Sequence, residues 1–393
     1  MVIEIALIFG LLVLVTWSNG RLGKKIGLSK IQDMGLQLLW IYHISFSFVF
    51  YYYLQKNGGD AIRYWNLTAD LSQGAESWGN YWGRGTFFLQ WLNYIPSKVL
   101  GMGFLSGNVL YGVVSFLGIR EIYFVGIKYW PESSSKWIEM GWLGLFFLPN
   151  LHFWSSGVGK EALLILGMGL AVKGLVDLRR HWILLVVGVV LSFWVRPIAG
   201  LVLGMVAWIY FLFQSGISVR AKSAVSTLMF VIGVLALNKV LITMHIEEYS
   251  MAALQQFSAG QFEFLEGFGA GSEVPMEGYG WTERLWSIFF RPFWNDVRDF
   301  WDVASAIENS IAILLLIGLI GGLGYCWVKK KLIIVPNVFY AGLAVAVLMA
   351  VVFSMTLNNL GIMMRMKSTY MVFSYLTAFK IIFLMNKSYH CNR

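Results

Sequence analysis

Charge is scarce in this 393-residue chain. Only 13% of its residues are Asp, Glu, Lys or Arg, about half the share of a soluble globular domain. Beside 58% hydrophobic residues, that scarcity excludes an ordinary water-soluble fold. Cysteine is scarcer still. Cys326 sits in an apolar run and Cys391 near the C-terminus, a placement that does not suit a disulfide, and neither belongs to a zinc or haem spacing. His152, His245 and His390 are scattered, so neither a metal site nor a cofactor is expected. No period of roughly 20–50 residues recurs, which excludes a solenoid or propeller. No basic stretch precedes the first apolar run, so residues 2–17 read as a retained span rather than a cleaved signal. No soluble domain is visible, and no nucleic-acid partner is expected.

Long apolar runs are what the chain has in abundance. Ile311 to Cys326 and Leu332 to Val352 are near the ~20 residues that a helix needs to cross a hydrocarbon core. The 18 Trp and 18 Tyr cluster near the ends of such runs, where amphipathic rings meet the headgroups. The expectation is an all-α, polytopic integral membrane protein: a single transmembrane domain over 1–393 with about eleven helices. Spans are placed near 2–17, 35–55, 99–118, 137–150, 161–176, 182–195, 198–214, 223–243, 309–328, 332–355 and 369–386.

The basic residues orient it. Arg21, Lys24, Lys25 and Lys30 follow the first span. Loops and helix ends of the same parity hold Arg120, Lys128, Lys136, Lys173, Arg179, Arg180, Arg220, Lys222, Lys329, Lys330 and Lys331, and the tail adds Lys387 and Arg393. Together these are 17 of the 30 Lys and Arg, and the positive-inside rule makes that face cytoplasmic. The opposite face carries a first outer loop, 56–98, and a long outer loop, 244–308. The long loop is acidic, from Glu247 and Glu248 to Asp302 and Glu308, and rich in rings such as Phe262, Phe268, Trp281, Trp286 and Trp294. It reads as one or two amphipathic helices on the outer surface, and as a candidate lid.

A second set of charges breaks the inside rule. Asp60 and Arg63 follow Gly58-Gly59. Lys160 and Glu161 follow the polar break from His152 to Gly159. Arg196-Pro197 interrupts an apolar run, and Asn358, Asn359, Arg365 and Lys367 separate two more spans. Taken singly, each has an ordinary role. An arginine at a helix end snorkels to the headgroups, Lys367 suits such an anchor, Asp60 suits an N-cap, and Trp154 suits an interfacial ring. Taken together, four outer loops deliver charge to one face. Ionisable groups near membrane depth are costly and usually face a polar cavity. Gly157 and Gly159 would allow a sharp bend before a helix opening with Lys160, leaving backbone N–H groups for an anion. Lys160 supplies a point charge, and Arg196 and Arg365 supply bidentate forks. The set suits a phosphate or diphosphate reached from the outer face.

The same residues carry a resemblance. Gly-Asp60-Ala-x-x-Tyr64, Leu-Pro149-x-x-x-Phe-Trp154-Ser-Ser-Gly-x-Gly-Lys160-Glu161, Arg196-Pro197 and Asn359-x-Gly361-x-x-x-Arg365-x-Lys367 resemble bacterial polysaccharide (O-antigen or exopolysaccharide) repeat-unit polymerases and GT-C-type membrane glycosyltransferases. The resemblance covers most of the chain as topology and about 30 residues as motif. It implies sugar transfer or polymerisation from polyprenyl phosphate or diphosphate, on the periplasmic face of a bacterial inner membrane. The implied partners are a polyprenyl-linked oligosaccharide, membrane lipid and other polysaccharide-assembly proteins. It also implies an acidic catalytic residue in the first outer loop. Asp60 takes that place, although here the loop follows the second span rather than the first.

Glycosyl transfer needs a carboxylate near the acceptor hydroxyl and cations near the leaving phosphate. Asp60 and then Glu161 are the catalytic candidates. Arg63, Tyr64, Trp154, Lys160, Arg196, Arg291, Arg365 and Lys367 are the candidate substrate contacts, with Trp65, Trp281 and Trp286 as further candidate rings. A transporter or flippase of a lipid-linked or anionic substrate is the alternative. It also needs embedded charge and broken helices, but no repeat relates the two halves of this chain.

Overall fold

The structure, a computed structural model, describes residues 2–131, 135–243, 250–267, 271–330 and 333–390. His245, Glu247, Glu248, Phe268, Lys331, Leu332, Cys391 and Arg393 lie outside the described residues, as do the side chains of Lys387 and His390. Among the described residues the chain is helical, with one isolated β-bridge between Glu273 and Asn359.

Two long helices, α1 (Val2–Ile26) and α2 (Lys30–Asn57), open the chain. The short α3 (Asp60–Asn66) and α4 (Thr86–Asn93) precede the long α5 (Phe104–Lys128). Two more short helices, α6 (Lys136–Gly144) and α7 (Pro149–Ser155), lead into α8 (Lys160–Val176), α9 (Leu178–Val195), α10 (Pro197–Leu212) and α11 (Val219–Thr243). The second long connection holds α12 (Met251–Glu266) and α13 (Trp281–Phe290). The chain closes with α14 (Phe300–Val328), α15 (Asn337–Ser354), α16 (Leu360–Lys367) and α17 (Met371–His390).

Among the described residues six helices, α1, α2, α5, α9, α14 and α15, are long and apolar enough to cross a membrane. The pair α16 and α17, bent by 60°, makes a seventh if it is one broken span. Large apolar side chains such as Phe9, Leu314, Ile317, Ile320 and Trp327 stand on their outer surfaces. Helices of this length with apolar side chains turned outward suit lipid, because each satisfies its own backbone. The protein is therefore membrane-embedded and all-helical.

Several expected spans differ in their bounds, and for three of them the physical reason is visible. The segment near 137–150 is split: α6 ends at Gly144, and Pro149 starts α7 at a position where its missing N–H costs nothing. The span near 99–118 becomes α5 and runs on through Arg120 and Glu121. Those charges are tolerated because Arg120 donates to Ser18 Oγ (3.1 Å) and Asn19 Oδ1 (3.3 Å), while Glu121 pairs with Lys173 at 2.8 Å. The span near 309–328 starts earlier, at Phe300, where Asp299 caps α14 by accepting from the N–H of Trp301 (2.9 Å) and Asp302 (3.0 Å).

The centre of the bundle is α8, and small residues set how close its neighbours come. A side-chain carbon on Gly118 of α5 would lie 2.2 Å from the carbonyl oxygen of Ile165. One on Gly188 of α9 would lie 2.4 Å from the carbonyl oxygen of Gly167. Glycine lets α5 and α9 press backbone to backbone on α8, the close packing that holds helices together without a hydrophobic driving force. This contact fixes where the N-terminus of α8 emerges.

Candidate active site: a cationic cluster around Glu161

Four breaks in the helical chain converge at the start of α8. The first is Gly58-Gly59. Gly58 closes α2 with φ +71 and Gly59 has φ +147, conformations that favour glycine, so the chain turns sharply into α3 and places Asp60 first in it. The helix α3 is then pinned. Trp65, 2% exposed, lies over Gly107 and donates to the carbonyl of Met102 at 3.1 Å. Asn93 of α4 donates to the carbonyl of Tyr64 at 3.1 Å and accepts from Tyr111 at 2.7 Å.

The second break is the turn from α7 to α8. Ser47 donates to the carbonyl of Ser156 (2.7 Å), and Asn108 Oδ1 accepts from the N–H of Val158 (2.8 Å). Gly157 and Gly159, expected to allow a sharp bend, do so without a left-handed backbone. Gly159 is extended, with φ 177, and Gly157 is needed because any side chain there would run into Phe50, 2.1 Å away. The third break is Arg196, extended between α9 and α10, where Pro197 starts α10. The fourth is α16, capped by Asn359, which accepts from the N–H of Ile362 at 3.2 Å.

The four breaks bring six expected residues together. Glu161, 1% exposed, is held by two guanidiniums: Arg365 Nε at 2.9 Å and Arg196 Nη2 at 3.1 Å, both on Oε1. Arg196 also reaches Met366 Sδ. Arg365 Nη1 lies 3.8 Å from Asp60 Oδ2, whose carboxylate is 59% exposed and therefore reachable. Lys160 places its ammonium 5.8 Å from the centre of the Tyr64 ring. Burial pushes the Tyr64 phenol above its usual range, against the pull of Arg365, so it stays a neutral donor. Three cations against two carboxylates leave the cluster with one net positive charge.

Glu161 also changes the expected anion site. Its Oε2 lies 3.2 Å from where a side chain on Gly159 would begin, so the carboxylate folds back over the first turn of α8. The positive end of that helix already faces an internal anion. An incoming phosphate would meet Lys160, Arg196 and Arg365 rather than free backbone N–H groups.

The other expected residues lie elsewhere. Arg63 pairs with Asp70 at 2.7 Å on the surface. Trp154 meets Phe153 and Phe50 edge to face and lines a neighbouring cavity. Arg291 pairs with Asp296 at 3.1 Å, on the far side of α16. Lys367 does not snorkel. It is 1% exposed, and its Nζ donates to Asn309 Oδ1 (2.6 Å) and the carbonyl of Arg291 (2.5 Å). Trp281 and Trp286 stand exposed on α13, and Trp65 is buried packing.

The second long connection is stitched to the site. Val274 donates to the carbonyl of Asn358 (2.7 Å), Leu360 donates to that of Ser272 (2.9 Å), and Asn358 Nδ2 donates to Glu266 Oε1 (2.9 Å). Two groups escaped sequence reasoning. Gly85 sits against the Lys160 ammonium and the carbonyl of Val195, its N–H bonded to the carbonyl of Trp194 at 2.9 Å. His152, taken as scattered, meets His43, which the sequence reading passed over, through their Nδ1 atoms at 2.9 Å. The signal available for the histidines was the His43, Ser47 spacing, which puts two polar groups on one face of an apolar helix. Among the described residues no group of side chains could hold a metal ion.

Compared with protein-family models, with curated proteins and with solved structures, the chain matches none.

Proposed function

We propose that this protein transfers or polymerises sugars carried on polyprenyl phosphate or diphosphate at the outer face of a bacterial inner membrane, in cell-surface polysaccharide synthesis. The observation that carries the reading is the convergence of Lys160, Arg196 and Arg365, from three separate breaks, around one buried carboxylate with positive charge to spare. In the proposed topology about eleven segments cross the bilayer, the broken α6–α7 stretch and the bent α16–α17 pair among them, and the cluster faces outward.

In the reaction, the acceptor hydroxyl attacks the anomeric carbon and the bond from that carbon to the phosphate oxygen breaks. Asp60 takes the hydroxyl proton, since it is the exposed carboxylate of the cluster. Glu161, clamped by two guanidiniums, is a poor base and instead sets their positions. Lys160, Arg196 and Arg365 offset the charge growing on the leaving phosphate, which needs no resident metal when cations are preorganised. The stretches 250–267 and 271–298, tied to α16, cover the reaction against water, which competes as an acceptor.

The test is the surface glycan of a deletion strain complemented with wild type or with Arg365→Ala, expression being matched. Wild type restores long polymer. Arg365→Ala leaves lipid-linked units accumulating, with transfer down by about 10²–10³-fold. Normal polymer in the deletion strain overturns the reading.

A further inference from the structure

A cavity of about 540 Å³ lies beside the cluster, between the outer parts of α2, α7, α14 and α16. Its size falls within the ~300–1,000 Å³ of sites that enclose a small organic ligand. One wall is aromatic and interlocked. Phe153 meets Trp301 at 5.1 Å, Tyr53 at 5.2 Å and Trp154 at 5.0 Å between ring centres. Such rings hold their positions and offer flat faces to a ligand.

The other wall is charged. Asp302, 4% exposed, holds Arg298 Nε at 3.3 Å, and Arg298 Nη1 donates to the carbonyl of Gly271 at 2.8 Å. Among the described residues only Oδ2 of Asp302 is bonded. Asp299 adds a second carboxylate, so Arg298 is outnumbered and the wall is net negative. A hydrocarbon chain gains nothing from a carboxylate–guanidinium pair in its path, because those groups lose water without receiving a partner. A ligand with hydroxyls on its edges and C–H groups on its faces satisfies both walls.

Three segments run from this cavity straight into the cluster. Tyr53 lines the cavity and Asp60 lies seven residues on. Trp154 lines it and Lys160 lies six residues on. Met364 lines it and Arg365 is the next residue. The cavity and the cationic cluster are therefore two compartments built on the same three supports.

We propose that the cavity binds the sugar portion of the substrate, and that it selects neutral or amino sugars over acidic ones. Trp154 and Trp301 stack on the sugar faces, and Asp302 and Arg298 bond its hydroxyls. The net negative wall rejects a uronate. This inference rests on the transfer reading, in which the cluster holds the phosphate of the same substrate.

Ala304, on the cavity wall, reports occupancy when replaced by cysteine (Ala304→Cys) in a Cys326→Ala, Cys391→Ser background, in lipid nanodiscs. Two probes are compared for slowing its alkylation by N-ethylmaleimide. One is the water-soluble oligosaccharide that mild acid releases from the lipid-linked pool of the source cells. The other is undecaprenyl phosphate. The oligosaccharide is expected to protect and undecaprenyl phosphate is not. Trp301→Ala should raise the concentration for half-protection by about tenfold, Trp301→Phe should restore most of it, and Arg365→Ala should leave it unchanged. Protection by undecaprenyl phosphate alone would assign the cavity to a lipid chain and overturn the proposal, as would protection by neither probe. Protection with normal polymer in the deletion strain sinks the transfer reading and keeps the cavity. Lost polymer without protection does the reverse.

Discussion

Two groups of charged side chains hang on one short helix, α16, and they are built on opposite principles. Residues two apart on a helix point about 200° apart, so Arg365 and Lys367 face different ways. Arg365 joins Glu161, Arg196 and Asp60 in a cluster with more cations than carboxylates and one exposed carboxylate. Lys367 enters a closed network. Its ammonium is bonded to Asn309 and the carbonyl of Arg291, while the nearby Glu308 carboxylate accepts from the N–H of Asn150 (2.9 Å) and the hydroxyl of Tyr375 (3.2 Å). Lys367 and Glu308 are 1% and 3% exposed. The second group is balanced and saturated, and it ties α16 to α7, α14 and α17. The first has charge left over. A closed network fixes a helix in place, and an open one on that same helix has something to bind with.

Mutations separate the two. Asp60→Asn should have the largest effect on sugar transfer, about 10²–10⁴-fold, with an unchanged melting temperature in detergent, because Asp60 is exposed and only loosely paired. Full activity in this variant would remove the base from the proposed reaction. Lys367→Met should do the opposite, lowering stability by about 1–3 kcal/mol for each buried acceptor it orphans, Asn309 Oδ1 and the Arg291 carbonyl, and leaving the nearby Glu308 without a cation. The double variant with Glu308→Gln should recover part of that in thermal unfolding. If Lys367→Met instead melts normally but abolishes transfer, the division between the groups collapses. Gly157→Ala should cost about 1–3 kcal/mol, read as a lower melting temperature, because the added carbon overlaps Phe50 beneath the turn that carries Lys160. Arg63→Ala should change neither polymer length nor melting temperature, since its pair with Asp70 is solvent-exposed.

The sequence made much of the first group legible. Asp60, Lys160, Glu161, Arg196 and Arg365 each sit at a break in an apolar run, where charge is conspicuous. The second group looked similar and was not distinguishable. Lys367 read as a headgroup anchor, because its acceptors on Asn309 and Arg291 stand far earlier in the chain and nothing local announces them. Arg63 read as a ligand for the converse reason. It is three residues from Asp60, but the turn of α3 sends it to Asp70 instead. One helix limit was misjudged because its charges find partners on distant helices. Arg120 and Glu121 seemed to end a span that α5 continues, since their partners lie on α1 and α8.

By itself the sequence determined the solvent and the helical class of the fold. Long apolar runs can only satisfy their backbones as helices in lipid, and Pro149, Pro197, Gly58 and Gly59 mark where those helices must stop. Which charges meet was decided only by the tertiary structure. Glu161 becomes a clamp rather than a free base because α10 and α16 bring a guanidinium each to the start of α8, and Lys367 becomes a strut because α14 passes behind it. A side chain's charge is local, but whether that charge is neutralised depends on partners that packing brings from distant parts of the chain.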